Sequence, residues 1–146
     1  MKCVKAYYSA SIRGAAGNDV TDDVVKQNLL LGISRGKEVQ SLLGSTLELY
    51  IPHAHDRLIQ ILWRRGCMTD ENILMGDMEI IKTCDFMMVD GYLSTGVKVE
   101  MDCCEAHSIP IHFLQPNLDN DVLLLHDLIN SILHRKYSVD GSTYNG

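Results

Sequence analysis

Four consecutive apolar residues, Phe86-Met87-Met88-Val89, stand between stretches that repeat with helical spacing. A strand without polar alternation needs cover on both faces, and such strands belong to parallel sheets wrapped by helices. The flanking sequence supplies that cover. Strand-like segments at 3–9, 46–51 and 109–114 alternate with helical patterns at 22–43, 57–66, 70–84, 96–106 and 119–136. Thr21 suits an N-cap, with Asp22 and Asp23 in the favoured first turn, and Gly44 suits the C-cap. Gly32 and Gly36, four apart on this first helix, suit close packing on a sheet. The order β-α-β-α-α-β-α-β-α predicts one α/β domain, a flavodoxin- or Rossmann-like three-layer fold with a parallel sheet of about four to five strands. The domain is expected over 1–137, with a flexible tail at 138–146.

Charge and cysteine usage narrow the partners. Nineteen acidic against thirteen basic residues give a net charge of −6, and no basic block exceeds the pair Arg64-Arg65. Neutralising a nucleic-acid polymer needs a basic face, so none is expected as partner. No apolar run approaches the ~20 residues of a membrane span. The five cysteines include no C-x-x-C pair, which argues against zinc and a disulfide framework. No metal and no cofactor are expected. The start, Met1 to Tyr8, lacks a secretory pattern, and a cytoplasmic protein with reduced thiols is the expectation.

In open parallel sheets ligands bind outside the carboxyl ends of the strands, so the loops there come next. After the first strand stands Ser9-Ala10-Ser11-Ile12-Arg13-Gly14, either an ordinary loop or a close-approach site where Arg13 meets an anion. After the second stands Pro52-His53-Ala54-His55-Asp56. It reads as a pocket wall, or as a helix-start loop with Asp56 near the N-cap; a metal would need further ligands. After the apolar run, Ser94 to Gly96 begin a helix whose free N–H groups and dipole can hold an anion. Glu100 lies one turn further on, solvated, paired or catalytic. Asp77 falls on the apolar side of its helix with Ile73, Leu74 and Ile81, where an acid needs either a buried partner or a function. A stretch of mostly apolar residues from Arg57 to Trp63 reads as a short helix.

These residues together resemble a known family. Tyr7-x-x-x-Ser11-Ile12-Arg13-Gly14, Asp77-x-Glu79 with Asp85 eight residues after Asp77, and Ser94-x-Gly96-Val97-x-x-Glu100 resemble the nucleoside 2-deoxyribosyltransferase-like superfamily. The nearest branch is the 2′-deoxynucleoside 5′-phosphate N-hydrolases. Asn28, Pro52-His53, Cys84-Asp85, Ala106 and Ile109-Pro110 also resemble small phage and bacterial proteins of that superfamily. The resemblance covers residues 3–114. It implies that Glu100 attacks the anomeric carbon, that Asp77 assists departure of the base, and that Tyr7 orients sugar and Glu100. It further implies a 5′-phosphate held near Ser11, Arg13 and Ser94, with Ile12, Gly14 and Gly96 among the substrate-binding residues, and a homodimer or higher homo-oligomer.

The chain departs from the family pattern in three places. Ser94 stands where the transferases carry an Asp six residues before the Glu, which favours a nucleotide over a nucleoside. Lys98 replaces a small or apolar residue and is expected to pair with a carboxylate or reach a phosphate. Gln115 to Asp121 holds acids and no Ser, so Asn117 or Asp119 is expected to contact base or sugar as in the transferases. The first expectation is therefore cleavage of the N-glycosidic bond of a (deoxy)nucleoside 5′-monophosphate, with His53 among the residues lining the site. The alternatives are a nucleoside deoxyribosyltransferase and a non-catalytic small-nucleotide binder.

Overall fold

The computed structural model describes residues 2–137. The tail expected at 138–146 lies outside the described residues. The strands are β1 (Val4–Ala10), β2 (Leu47–Tyr50), β3 (Phe86–Asp90) and β4 (Ile111–Phe113). The helices are α1 (Asp22–Leu43), α2 (Asp56–Arg64), α3 (Asp70–Ile81), α4 (Thr95–Ala106) and α5 (Asp119–Tyr137). All strand pairs are parallel and the sheet order is β2-β1-β3-β4. That order matches the first four strands of a flavodoxin-like sheet, and its switch point lies between β1 and β3. No helix among the described residues is long and apolar enough to cross a membrane.

Strand alternation builds the two apolar layers. Val4, Ala6 and Tyr8 of β1, with Phe86 and Met88 of β3, face α1 and α5 through Val39, Leu43, Leu125, Ile129 and Ile132. Tyr7, Met87 and Val89 face α3 and α4 through Ile81, Val97, Cys103 and Cys104. The apolar run of β3 is buried from both sides, as its sequence predicts. All five cysteines are free.

Local chemistry sets the element ends. Thr21, Thr69 and Ser94 each accept a hydrogen bond from a first-turn N–H of the helix they precede. The helix expected over 70–84 stops at Ile81. The N–H groups of Thr83 and Cys84 turn back to the Ile80 and Ile81 carbonyls, and the Asp85 N–H joins the Lys5 carbonyl of β1. The strand expected over 109–114 is only three residues long, and Pro110, which has no N–H, precedes it. Two short 3₁₀ turns, Gly14–Asp19 and Pro52–Ala54, follow β1 and β2. Neither has a hydrophobic period, so the sequence showed only loops there.

The glycines of α1 pack as expected, though against the end of β2 and its turn. A Cβ at Gly32 would lie 2.3 Å from the His53 ring, and one at Gly36 would lie 2.8 Å from Ile51. His53 is buried with its ring edge-on to Tyr8, so making room for a Cβ would displace the ring from that contact. Gly76 on α3 has nothing within 4 Å of an added Cβ. Gly76→Ala should therefore gain about 0.5–1 kcal/mol of helix propensity. Gly32→Ala gains the same and loses roughly 1–3 kcal/mol to overpacking. Urea unfolding should show the first variant more stable than wild type and the second less stable. Equal shifts would remove the packing role of Gly32.

Candidate active site

The carboxyl ends of β1 and β3 open into a cavity of about 520 Å³. That volume suits a mononucleotide-sized ligand. Tyr7, Ser11, Ile12, Arg13, Gly14 and His53 line it from the β1 and β2 side. Asp77, Ser94, Gly96 and Glu100 line it from α3 and α4. Ten of the twelve residues singled out in the sequence thus share one cavity. Lys98 is exposed and does not line it, because the helical turn carries it to the outer side of α4. Asn117 does not line it either. It is exposed, and its side-chain oxygen accepts from the Asp119 N–H at the start of α5. Within one chain, neither contacts a ligand in this cavity.

Glu100 is the best-held carboxylate. It is 7% exposed. The Tyr7 hydroxyl donates to its Oε2 at 2.6 Å and the Ser9 hydroxyl to its Oε1 at 2.7 Å. Tyr7 and Ser9 are two apart on β1 and so point to the same face. The sequence reading passed over Ser9, although this alternation was visible once Tyr7 was chosen. Behind Tyr7 the rings of Tyr50 and His55 stack in sequence, at centroid distances of 5.7 and 5.3 Å. His53 and His55 therefore face different ways, and no metal-holding cluster occurs among the described residues.

Four carboxyls line the cavity: Asp70, which is paired with Arg13, and the three unpaired acids Asp56, Asp77 and Glu100. Burial pushes Glu100 up to about 7; the Tyr7 and Ser9 hydrogen bonds oppose it, and Asp77 and Asp56 add to it. Burial raises Asp77 to about 6, and the nearby Tyr7 hydroxyl pulls it back. Tyr7 has one proton and places it on Glu100. Burial, then the Asp77 charge, raises Asp56 to about 7. Burial and the Glu100 carboxylate push Tyr7 itself far up, so it remains a donor. Because the carboxyls repel one another's charge, their protons leave in steps that belong to the cluster. The cluster therefore keeps a proton near neutrality. A cationic centre beside Glu100 would favour its ionised form and leave the proton on Asp77.

Asp56 escaped the sequence reading as a site residue. Helix α2 buries Asp56 and Gln60, whereas Leu58 is 65% and Ile61 41% exposed. The two most buried side chains of this helix are thus polar and line the cavity, while Ile59, Leu62 and Trp63 are half-buried.

The anion-facing rim is partly occupied by the protein's own contacts. The Arg13 guanidinium pairs with Asp70 at 2.8 Å, donates to Asn18 at 2.8 Å and stacks 3.7 Å above Trp63. Ser11 Oγ accepts from the Gly14 N–H, whose φ of +66° requires glycine. Ser94 Oγ caps α4. The Thr95 and Gly96 N–H groups make no hydrogen bond among the described residues and remain available to a ligand. Asp85, part of the sequence motif, lies at the other end of β3. There it accepts from the Lys5 N–H and pairs with Lys136. Burial lowers His53 to about 4; the Ala10 backbone and Asp90 oppose this only in part. Neither ring nitrogen closes a hydrogen bond.

No protein-family model matches the chain, and no curated protein matches it.

Proposed function

We propose that the protein cleaves the N-glycosidic bond of a (deoxy)nucleoside 5′-monophosphate, releasing base and sugar phosphate. The carrying observation is Glu100, a buried carboxylate fixed by two hydroxyl donors in a nucleotide-sized cavity with a second acid, Asp77, in the wall. N-glycoside cleavage builds positive charge on the sugar, and a carboxylate at the anomeric carbon stabilises or traps that charge. Glu100 forms a C–O bond as the C–N bond breaks. The C–N electron pair leaves with the base, and Asp77 supplies the base with a proton. Water then attacks the anomeric carbon, the sugar–Glu100 bond breaks, and Asp77 takes up the water proton. Tyr7 and Ser9 hold Glu100 in one orientation, so little reorganisation accompanies attack. The free N–H groups at the start of α4 suit the 5′-phosphate. The sequence resemblance to the nucleoside 2-deoxyribosyltransferase-like superfamily supports the same reading. A homo-oligomer fits the outward apolar side chains of Leu30, Leu31 and Leu58.

A second reading is favoured by one observation. Arg13 is paired with Asp70, and the inner cavity is acidic, which suits a free nucleoside and transfer of its sugar to another base. The two readings separate in a chromatographic assay of deoxynucleoside monophosphates and free deoxynucleosides, each with and without an acceptor base. Free base from a monophosphate alone is the expected result. A new nucleoside formed only with acceptor would replace it by the transferase. Asp70→Asn adds a second criterion. Freed from its ion pair, Arg13 should lower KM for the monophosphate by a few-fold and leave the nucleoside unchanged. An equal change for both would remove Arg13 from phosphate binding.

A further inference from the structure

The buried polar residues of α2 ask for an explanation. Burying Asp56 and Gln60 in place of Leu58 and Ile61 forgoes apolar burial and desolvates a carboxylate. Asp56 is 2% exposed, lines the cavity and makes no hydrogen bond among the described residues. Gln60 Oε1 is likewise buried, cavity-lining and unpartnered. The two residues are four apart on one helix and therefore neighbours on its inner face. Native proteins rarely leave such groups unpaired, so a bound partner is the physical expectation. That partner must be rich in donors, because a carboxylate offers two acceptor oxygens and Gln60 a third. Its position is also indicated. The charge felt most strongly by Asp56 is that of Asp77, the acid assigned to the departing base. Asp56 therefore lies close to the acid assigned to the departing base.

We infer that Asp56, with Gln60 beside it, reads the edge of the departing base and selects bases that present two adjacent N–H donors, as guanine does. The inference rests on the nucleotide reading of the cavity. Guanine offers N1–H and the 2-amino group side by side, matching the two oxygens of one carboxylate. Adenine and cytosine offer a donor next to an acceptor, and the acceptor would meet an oxygen lone pair. Hypoxanthine keeps N1–H and lacks the amino group. A site built to bond a group rejects the analogue lacking it, because a buried polar atom is then left unpaired.

The test is calorimetric titration of the Glu100→Gln protein, which holds nucleotides without turnover, with the monophosphates of deoxyguanosine, deoxyinosine and deoxyadenosine. The deoxyguanosine nucleotide should bind roughly 10- to 100-fold more tightly than the other two. Adding Asp56→Asn, which presents one donor and one acceptor, should reverse the preference toward deoxyadenosine. Gln60→Leu should weaken the preference without reversing it. Tighter binding of deoxyadenosine monophosphate with Asp56 intact would show a protonated Asp56 reading the opposite edge, and overturns the inference. So would an equal loss for all three nucleotides in Asp56→Asn. Base release by the wild-type protein, measured in parallel, separates the two levels. Cleavage without base preference keeps the glycosidase and removes the edge reading. Base preference without cleavage does the reverse. No binding at all removes both.

Discussion

Glu100→Gln should lower base release by at least about 10³-fold, as loss of a covalent nucleophile does. The same variant should be more thermostable than wild type at pH 8. An unfolded glutamate titrates near 4.5, whereas burial holds folded Glu100 at about 7. Between those values the native state binds the extra proton, so this group makes stability fall as pH rises. Above about 7 the full penalty persists, and below the unfolded value it is absent. A neutral amide of the same shape removes a penalty on the order of 1–3 kcal/mol at pH 8, and almost nothing near pH 4. For a chain of this size that is several degrees in Tm. The Tyr7 hydroxyl keeps its acceptor, and the Ser9 hydroxyl rotates to accept from the amide. Unchanged base release would end the nucleophile assignment. A drop in Tm at pH 8 would show that Tyr7 and Ser9 stabilise the carboxylate by more than its burial costs.

Agreement or conflict between local signals and burial decides which parts of the molecule the sequence could reveal. The layered sheet was legible because local signals agreed. The unbroken run of β3 required cover on both faces, Thr21 and Gly44 marked the ends of α1, and strand-like segments alternated with helical ones. Glu100, Asp77 and Tyr7 were legible because motif spacing, strand ends and helix starts converge on one rim. Asp56 was hidden because α2 reverses the usual relation between polarity and burial. Leu58 and Ile61 point outward, and only the tertiary arrangement shows that Asp56 and Gln60 point in. Lys98 and Asn117 lie outside the cavity of one chain for a related reason. Proximity in sequence to a functional turn does not fix the direction of a side chain, and one lies across α4 while the other is spent on the start of α5. Arg13 lines the cavity, but its partners Asp70 and Trp63, more than forty residues away in the chain, were not legible from its loop.

Asp77→Asn should slow base release by about 10²–10⁴-fold, the range of a lost general acid, and change the shape of the pH profile. In the wild-type protein kcat/KM should be bell-shaped, with its maximum between about 6 and about 7. Activity falls on the acid side as Glu100 takes a proton and on the alkaline side as the cluster loses its last one. The variant has no acid to deprotonate, so its alkaline limb should flatten. The charge on Asp77 also helps to raise Glu100. Without it Glu100 ionises at lower pH, and the acid limb should move downward. A merely structural role for Asp77 would scale the whole bell and leave both limbs in place. The sharpest comparison uses a 7-methylguanine deoxynucleotide, whose base departs as a neutral molecule without taking a proton. A proton donor at Asp77 contributes nothing to that reaction, so Asp77→Asn should leave its rate nearly unchanged while Glu100→Gln still abolishes it. Equal loss for the methylated and ordinary substrates would mean that Asp77 shapes the cavity, and that the proton on the departing base comes from elsewhere in the cluster.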